Sequence, residues 1–110
     1  MAKREDSVGA LEHIVLLAVM RLGEGAYGIT VRREIESTTG RALSVGAVYA
    51  TLVRLESKGF VKSSAGDPTA ERGGRAKRYF RVTADGKAVL RNTHDILKRM
   101  SAGIKGLGAM

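Results

Sequence analysis

Residues 40–61 read GRALSVGAVYATLVRLESKGFV, and this stretch decides the fold. Ser44 is a helix N-cap residue, because its hydroxyl can accept one of the backbone N–H groups that a first helical turn leaves unpaired. Val48, Leu52 and Leu55 follow at i, i+4 and i+7, which puts three branched apolar side chains on one face. Gly59 supplies the left-handed residue that ends a helix, and Phe60 can fold back onto the last turn. The spacing therefore predicts a helix from Ser44 to about residue 58.

Upstream, residues 27–39 predict a second helix: Val31 and Ile35 lie one turn apart with Ile29 nearby, while Arg32, Arg33, Glu34 and Glu36 face water. Gly40 stands where its C-terminal cap belongs. Only Gly40, Arg41, Ala42 and Leu43 separate the two helices. Helices joined by so short a glycine-containing turn form a helix-turn-helix. Further out, residues 8–22 are apolar almost all round (Leu11, Ile14, Val15, Leu17, Ala18, Val19, Leu22), with Gly23 and Gly25 just beyond. Length and terminating glycines favour a buried helix over a strand. Residues 1–6 are polar and expected to fray.

Downstream of Gly59 the apolar period changes. Residues 60–64 read as a strand, and residues 77–83 as another, with Phe80 and Val82 alternating against Tyr79 and Arg81. Residues 65–76 hold Gly66, Pro68, Gly73 and Gly74 and read as a long hairpin loop. A helix-turn-helix followed by a hairpin is a winged helix. A last helix is expected from Ala84 to near Gly103, with Thr83 as N-cap. Along it Leu90, Leu97 and Ile104 recur every seven residues, as do Thr93, Met100 and Leu107, a short dimerising seam. The expected fold class is mostly α with a small β-hairpin wing: a winged helix-turn-helix over residues 1–83, then a C-terminal dimerisation helix and tail over 84–110.

Composition narrows the function. A chain of 110 residues is one domain's worth. It has no cysteine, which removes disulfides, thiolate metal sites and cysteine nucleophiles. The apolar run from Ile14 to Met20 falls far short of the roughly 20 residues of a membrane span and does not read as a signal peptide. No membrane association and a cytoplasmic location are expected. His13 and His94 fall on different helices, and no paired histidines, catalytic triad or phosphate-loop motif is present. Capping explains the serines at helix ends. Neither catalysis nor any metal or cofactor is expected.

The formal charge is +8, which favours a polyanionic partner. Position sharpens this. Arg72, Arg75, Lys77, Arg78 and Arg81 cluster in the wing against the single acid Glu71. Gly73 and Gly74 would let the backbone approach a groove, while arginine offers forked donors to phosphate. The other reading is a solvated hairpin tip. On the third helix the face opposite the apolar stripe carries Ser44, Gly46, Ala47, Tyr49, Ala50, Val53 and Arg54. Small residues near a helix N-terminus allow close approach in a major groove. Tyr49 could instead be half-buried core, and Arg54 could pair with Glu56 or Glu12.

The segments GALEHIVLLAVMRLGEGAYGITVRREIESTTGRALSVGAVYATLVRLESKGFV and GDPTAERGGRAKRYFRVTADGKAVL resemble the PadR family of bacterial transcriptional regulators over roughly residues 9–90. The motifs are Tyr27-Gly28 opening the second helix, SVGAVYATLVRLESKGFV, and ERGGRAKRYFRVT in the wing. The resemblance implies a winged-helix homodimer that represses promoters by binding double-stranded DNA at inverted-repeat operators. It implies DNA contact by Tyr49, Arg75 and Lys77, to which the residues above add Ser44, Gly46, Ala47, Ala50, Arg54, Arg72, Gly73 and Gly74. It also implies that the C-terminal helices pack on each other and on the partner's first helix. Leu11, Val15, Leu90, Ile96, Leu97, Met100 and Ile104 are the interface residues this predicts, unless they pack on their own subunit's first helix. A small-molecule effector at the dimer interface is the further partner the family suggests. Two departures bear on it: the chain has no tryptophan, on which the multidrug-binding subgroup stacks ligands, and one helix running into glycines stands where longer members carry a larger helical domain. Competing readings are a nonspecific architectural nucleic-acid binder and a dimeric module that binds protein.

Overall fold

The computed structural model describes residues 8–68 and 76–107. In chain order these form α1 (Ala10–Leu22), a 3₁₀ turn (Gly23–Gly25), α2 (Gly28–Thr39), α3 (Val45–Ser57), β1 (Val61–Pro68), β2 (Ala76–Val82) and α4 (Ala84–Ser101). The mostly helical winged helix-turn-helix read from the sequence is the fold observed. Residues 1–6 and the wing-tip positions Arg72, Gly73, Gly74 and Arg75 lie outside the described residues.

One core joins all the elements. Val15, Leu16 and Val19 of α1 meet Val31 and Ile35 of α2, Val48, Leu52 and Leu55 of α3, Phe60, Val61 and Phe80 at the hairpin, and Val89 and Leu90 of α4. α1 begins two residues later than its apolar pattern suggests. The reason is local: the Glu12 carboxylate accepts the Gly9 N–H at 2.9 Å and fixes Gly9 as the N-cap. α3 ends in a Schellman motif, with Phe60 N–H on the Leu55 carbonyl and Gly59 N–H on that of Glu56, both at 2.9 Å. Gly59 has φ +82°, which a residue with a Cβ adopts only under strain.

The hairpin is antiparallel, pairing Val61 with Val82 and Ser64 with Tyr79, and its ladder reaches Pro68 opposite Ala76 after a register shift beyond Ala65. The strands thus extend into what reads in the sequence as loop. Gly66 is a strand residue, not a loop breaker: a Cβ there would overlap the Tyr79 ring, so its bare backbone is what lets that ring lie across β1. The Phe80 N–H donates to the Ala26 carbonyl at 2.8 Å, which ties the wing to the α1–α2 connection. A two-stranded ribbon is marginal alone and needs such support.

Thr83 joins wing to α4. Its N–H donates to the Phe60 carbonyl at 3.0 Å and its hydroxyl to that of Gly59 at 2.7 Å, while the same hydroxyl accepts the Gly86 N–H as N-cap. Gly86 permits this closeness, since a Cβ would overlap the Phe60 carbonyl oxygen. α4 stops at Ser101, and Ile104 and Leu107 lie in turns beyond it. The heptad seam is therefore shorter than the sequence spacing suggests, because Gly103 and Gly106 take φ of +80° and +90° and break the helix.

Candidate nucleic-acid interface

α3 is the second helix of the helix-turn-helix, and it is held from both flanks. The Ser44 hydroxyl accepts the Ala47 N–H at 3.0 Å, starting the helix where the sequence predicts. On the flank toward α1, Lys58 Nζ lies 2.9 and 3.0 Å from the two Glu12 carboxylate oxygens. Arg54 Nε lies 3.7 Å from the same carboxylate, and Arg54 Nη2 donates to Thr51 at 3.1 Å. Burial pushes the Glu12 carboxyl up, but the Gly9 N–H, the Lys58 ammonium and the Arg54 guanidinium outweigh it and hold it below the ordinary carboxylate value. Glu12 stays ionised and ties α1 to the end of α3.

On the flank toward the wing, the Ser63 hydroxyl donates to Glu56 at 2.6 Å and in turn accepts from Arg78 Nε at 3.2 Å. The Tyr49 ring meets Phe80 edge to face at 6.3 Å. Between these straps α3 presents Gly46, Ala47, Ala50 and Val53 to solvent. Beside it, the Lys77 ammonium sits 4.7 Å over the Tyr27 ring, and Tyr27 meets Tyr79 edge to face at 5.3 Å. Tyr27 caps α2, its N–H held by Thr30 at 2.9 Å. Strand β2 of the wing is thereby docked on the start of the helix-turn-helix, with one cation fixed at the junction.

Of the residues expected at DNA, Ser44, Gly46, Ala47, Tyr49 and Ala50 share the open side of α3, and Lys77 stands at the outer end of the wing's paired strands. Arg54 is engaged within the protein by Glu12 and Thr51, one of the two pairings its sequence left open. Of the expected interface residues, Ile96, Leu97, Met100 and Ile104 are 45–73% exposed, and Leu11 is half-buried. Val15 and Leu90 need correcting: they are 0% and 6% exposed in the core of their own protomer, so they have no surface to give a partner. Glu12, Lys58, Tyr27 and Tyr79 as positioning residues were not singled out. For Glu12 a signal existed, since an acid three residues after Gly9 is a capping pattern. His13 lies in α1 with its Nδ1 buried and unpartnered, and burial together with the nearby His94 lowers its pKa.

The sequence pattern of the transcriptional regulator PadR-like family matches residues 16–92. The chain belongs to the PadR-like family. Members of this family are transcriptional regulators, not enzymes, and they bind DNA. No curated protein matches the sequence. Among solved structures, a PadR family transcriptional regulator from Eggerthella lenta is 25% identical, with TM-score 0.68 over 88% of this chain and 84% of that one. A PadR-like transcriptional regulator from Bacillus cereus is 19% identical, with TM-score 0.70 over 90% and 91%. The Aeropyrum pernix ORC1 protein, solved in complex with DNA, is 18% identical and matches with TM-score 0.63 over 86% of this chain but 27% of its own. The PadR-like winged helix thus spans helix-turn-helix, wing and the start of α4. Among its described residues no single helix is long and apolar enough to cross a membrane.

Proposed function

We propose that this PadR-like chain is a cytoplasmic, homodimeric repressor that binds an inverted-repeat operator, with residues 1–83 reading DNA and residues 84–110 pairing the protomers. The observation that carries this reading is the open, small-residue face of α3 set beside a basic wing whose strand β2 is fixed by Lys77 on Tyr27. The exposed apolar residues of α4, Ile96, Leu97 and Met100, support pairing, because a monomer has no reason to hold them in water. Twofold pairing would place two α3 helices about one turn of DNA apart, which an inverted repeat matches. Contact with DNA by Arg72, Gly73, Gly74 and Arg75 belongs to this reading on their chemistry. Release by a small-molecule effector belongs to it too, at the dimer interface. A cleft of about 700 Å³ between the end of α1 and the wing, bordered by Met20, Tyr79, Lys62, Arg81 and Lys87, is a further place for one.

The test is fluorescence-anisotropy binding to DNA upstream of the protein's own gene, against scrambled competitor, over a salt series. The expected result is binding that survives competitor by orders of magnitude. Equal, steeply salt-sensitive binding to both DNAs would make the protein an architectural binder. No salt-dependent DNA binding would make the winged helix a protein-binding module.

A further inference from the structure

The outward face of α3 is almost without polar chemistry. Val45, Tyr49 and Val53 are 41%, 41% and 44% exposed, and Gly46, Ala47 and Ala50 complete the face, so the Tyr49 hydroxyl is its one large polar group. In a major groove, guanine is read by arginine or lysine on O6 and N7, adenine by asparagine or glutamine, and cytosine by a carboxylate. α3 contains no asparagine, glutamine or aspartate. Its Glu56 is bound to Ser63, and its one arginine, Arg54, is drawn by Thr51 and Glu12 toward α1, although its side chain stays 55% exposed. Lys58, just past the helix, is on Glu12 as well. Ser57 adds a hydroxyl, which both donates and accepts and so discriminates little. Beside the Tyr49 hydroxyl, which both donates and accepts and so discriminates as little, what remains for reading sequence is apolar contact, and the major groove offers one apolar group, the thymine 5-methyl.

We infer that Val53, with Ala50 and Gly46 beside it, reads thymine 5-methyl groups, so that the half-site beneath α3 is specified by methyls more than by hydrogen bonds. Ala50 and Gly46 have no bulk to hold the helix off the floor of the groove. The Val53 methyls then reach the base edges from a helix whose tilt is set by Glu12 on one flank and Glu56 on the other. The inference rests on the operator-binding reading and adds to it what chemistry the operator must present.

The experiment starts from a selection of duplex DNA from a random library with the full chain. Each thymine of the best site is then replaced in turn by deoxyuridine, which keeps every hydrogen bond and removes only the methyl. At one or two positions per half-site the replacement weakens binding about fourfold, the effect of burying one carbon. Val53→Ala is predicted to weaken binding to the thymine site and to erase the thymine–uracil difference at those positions. Because Val53 lies outside the core, truncating it spares the fold; a variant that was merely destabilised would weaken both DNAs by one factor and keep their ratio. Uracil tolerated at every position, or a ratio unchanged in Val53→Ala, overturns the inference. Uracil tolerated while Arg54→Gln erases a guanine preference would overturn it in favour of arginine readout. A selection that enriches no sequence defeats the operator reading itself, and this inference with it.

Discussion

Replacing Glu12 by glutamine removes a charge and little else. Glutamine keeps the size and can still accept the Gly9 N–H, so the start of α1 survives. What goes is the pairing with Lys58, two contacts of 2.9 and 3.0 Å to a carboxylate whose residue is only 7% exposed. The Lys58 side chain is 29% exposed, so this pair is only partly screened; Arg54, 55% exposed and 3.7 Å away, adds little. Hydrogen bonds to charged groups contribute roughly 1.5–3 kcal/mol and exposed pairs about 0–1, which puts the loss near 2 kcal/mol at pH 7. In a chain this small that lowers the melting temperature by about 8 °C. The pH dependence makes the test sharper. The folded carboxyl is held below its ordinary value, so its contribution is fully present above about pH 4.3, where free glutamate titrates, and is lost as pH falls through the folded value. Urea unfolding at fixed protomer concentration should show parent and variant about 2 kcal/mol apart at pH 7 and converging in acid. A difference below about 0.5 kcal/mol at pH 7, or one that persists unchanged in acid, would refute the argument.

Three further outcomes are expected. Gly86→Ala drives a methyl into the Phe60 carbonyl and should cost about 1–3 kcal/mol in denaturant unfolding, whereas the same change at exposed Gly25, where the space is open, should cost far less. Lys77→Gln should reduce the slope of log affinity against log salt by about 0.9, leaving the ranking of sequences intact. Leu97→Glu with Met100→Glu should shift sedimentation from dimer to monomer without lowering protomer helicity, since both side chains are exposed and free of the core.

The backbone path was legible where one residue type has one physical use. Ser44, Gly40 and Gly59 marked the ends of helices, and Val48, Leu52 and Leu55 marked the buried face of α3. Gly66 misled because glycine serves two purposes: in isolation it signals a turn, but here it makes room for a ring from the opposite strand. Seven-residue spacing likewise cannot tell an intermolecular seam from a helix face lying on its own subunit, and Leu90 proved to be the latter. The clasp of Glu12 on Lys58 spans 46 positions and depends on how α1 crosses α3, information that no local pattern carries.

Thr83 is where α3, the wing and α4 are fastened together. It fastens at once to Gly59 and Phe60, directly after α3, and to Gly86 in the first turn of α4. Val89 and Leu90 seat the first turns of α4 in the core, so only the stretch from Arg91 to Ser101 projects, about 16 Å. A tilt of about 10° where α4 leaves the core sweeps its far end through about 3 Å, and the converse also holds: whatever grips the far end presses on the core through Val89 and Leu90. In a paired assembly the distance between the two reading heads would then be governed by how the α4 rods cross, with the Thr83 hydroxyl and the seating of Val89 and Leu90 together calibrating that ruler.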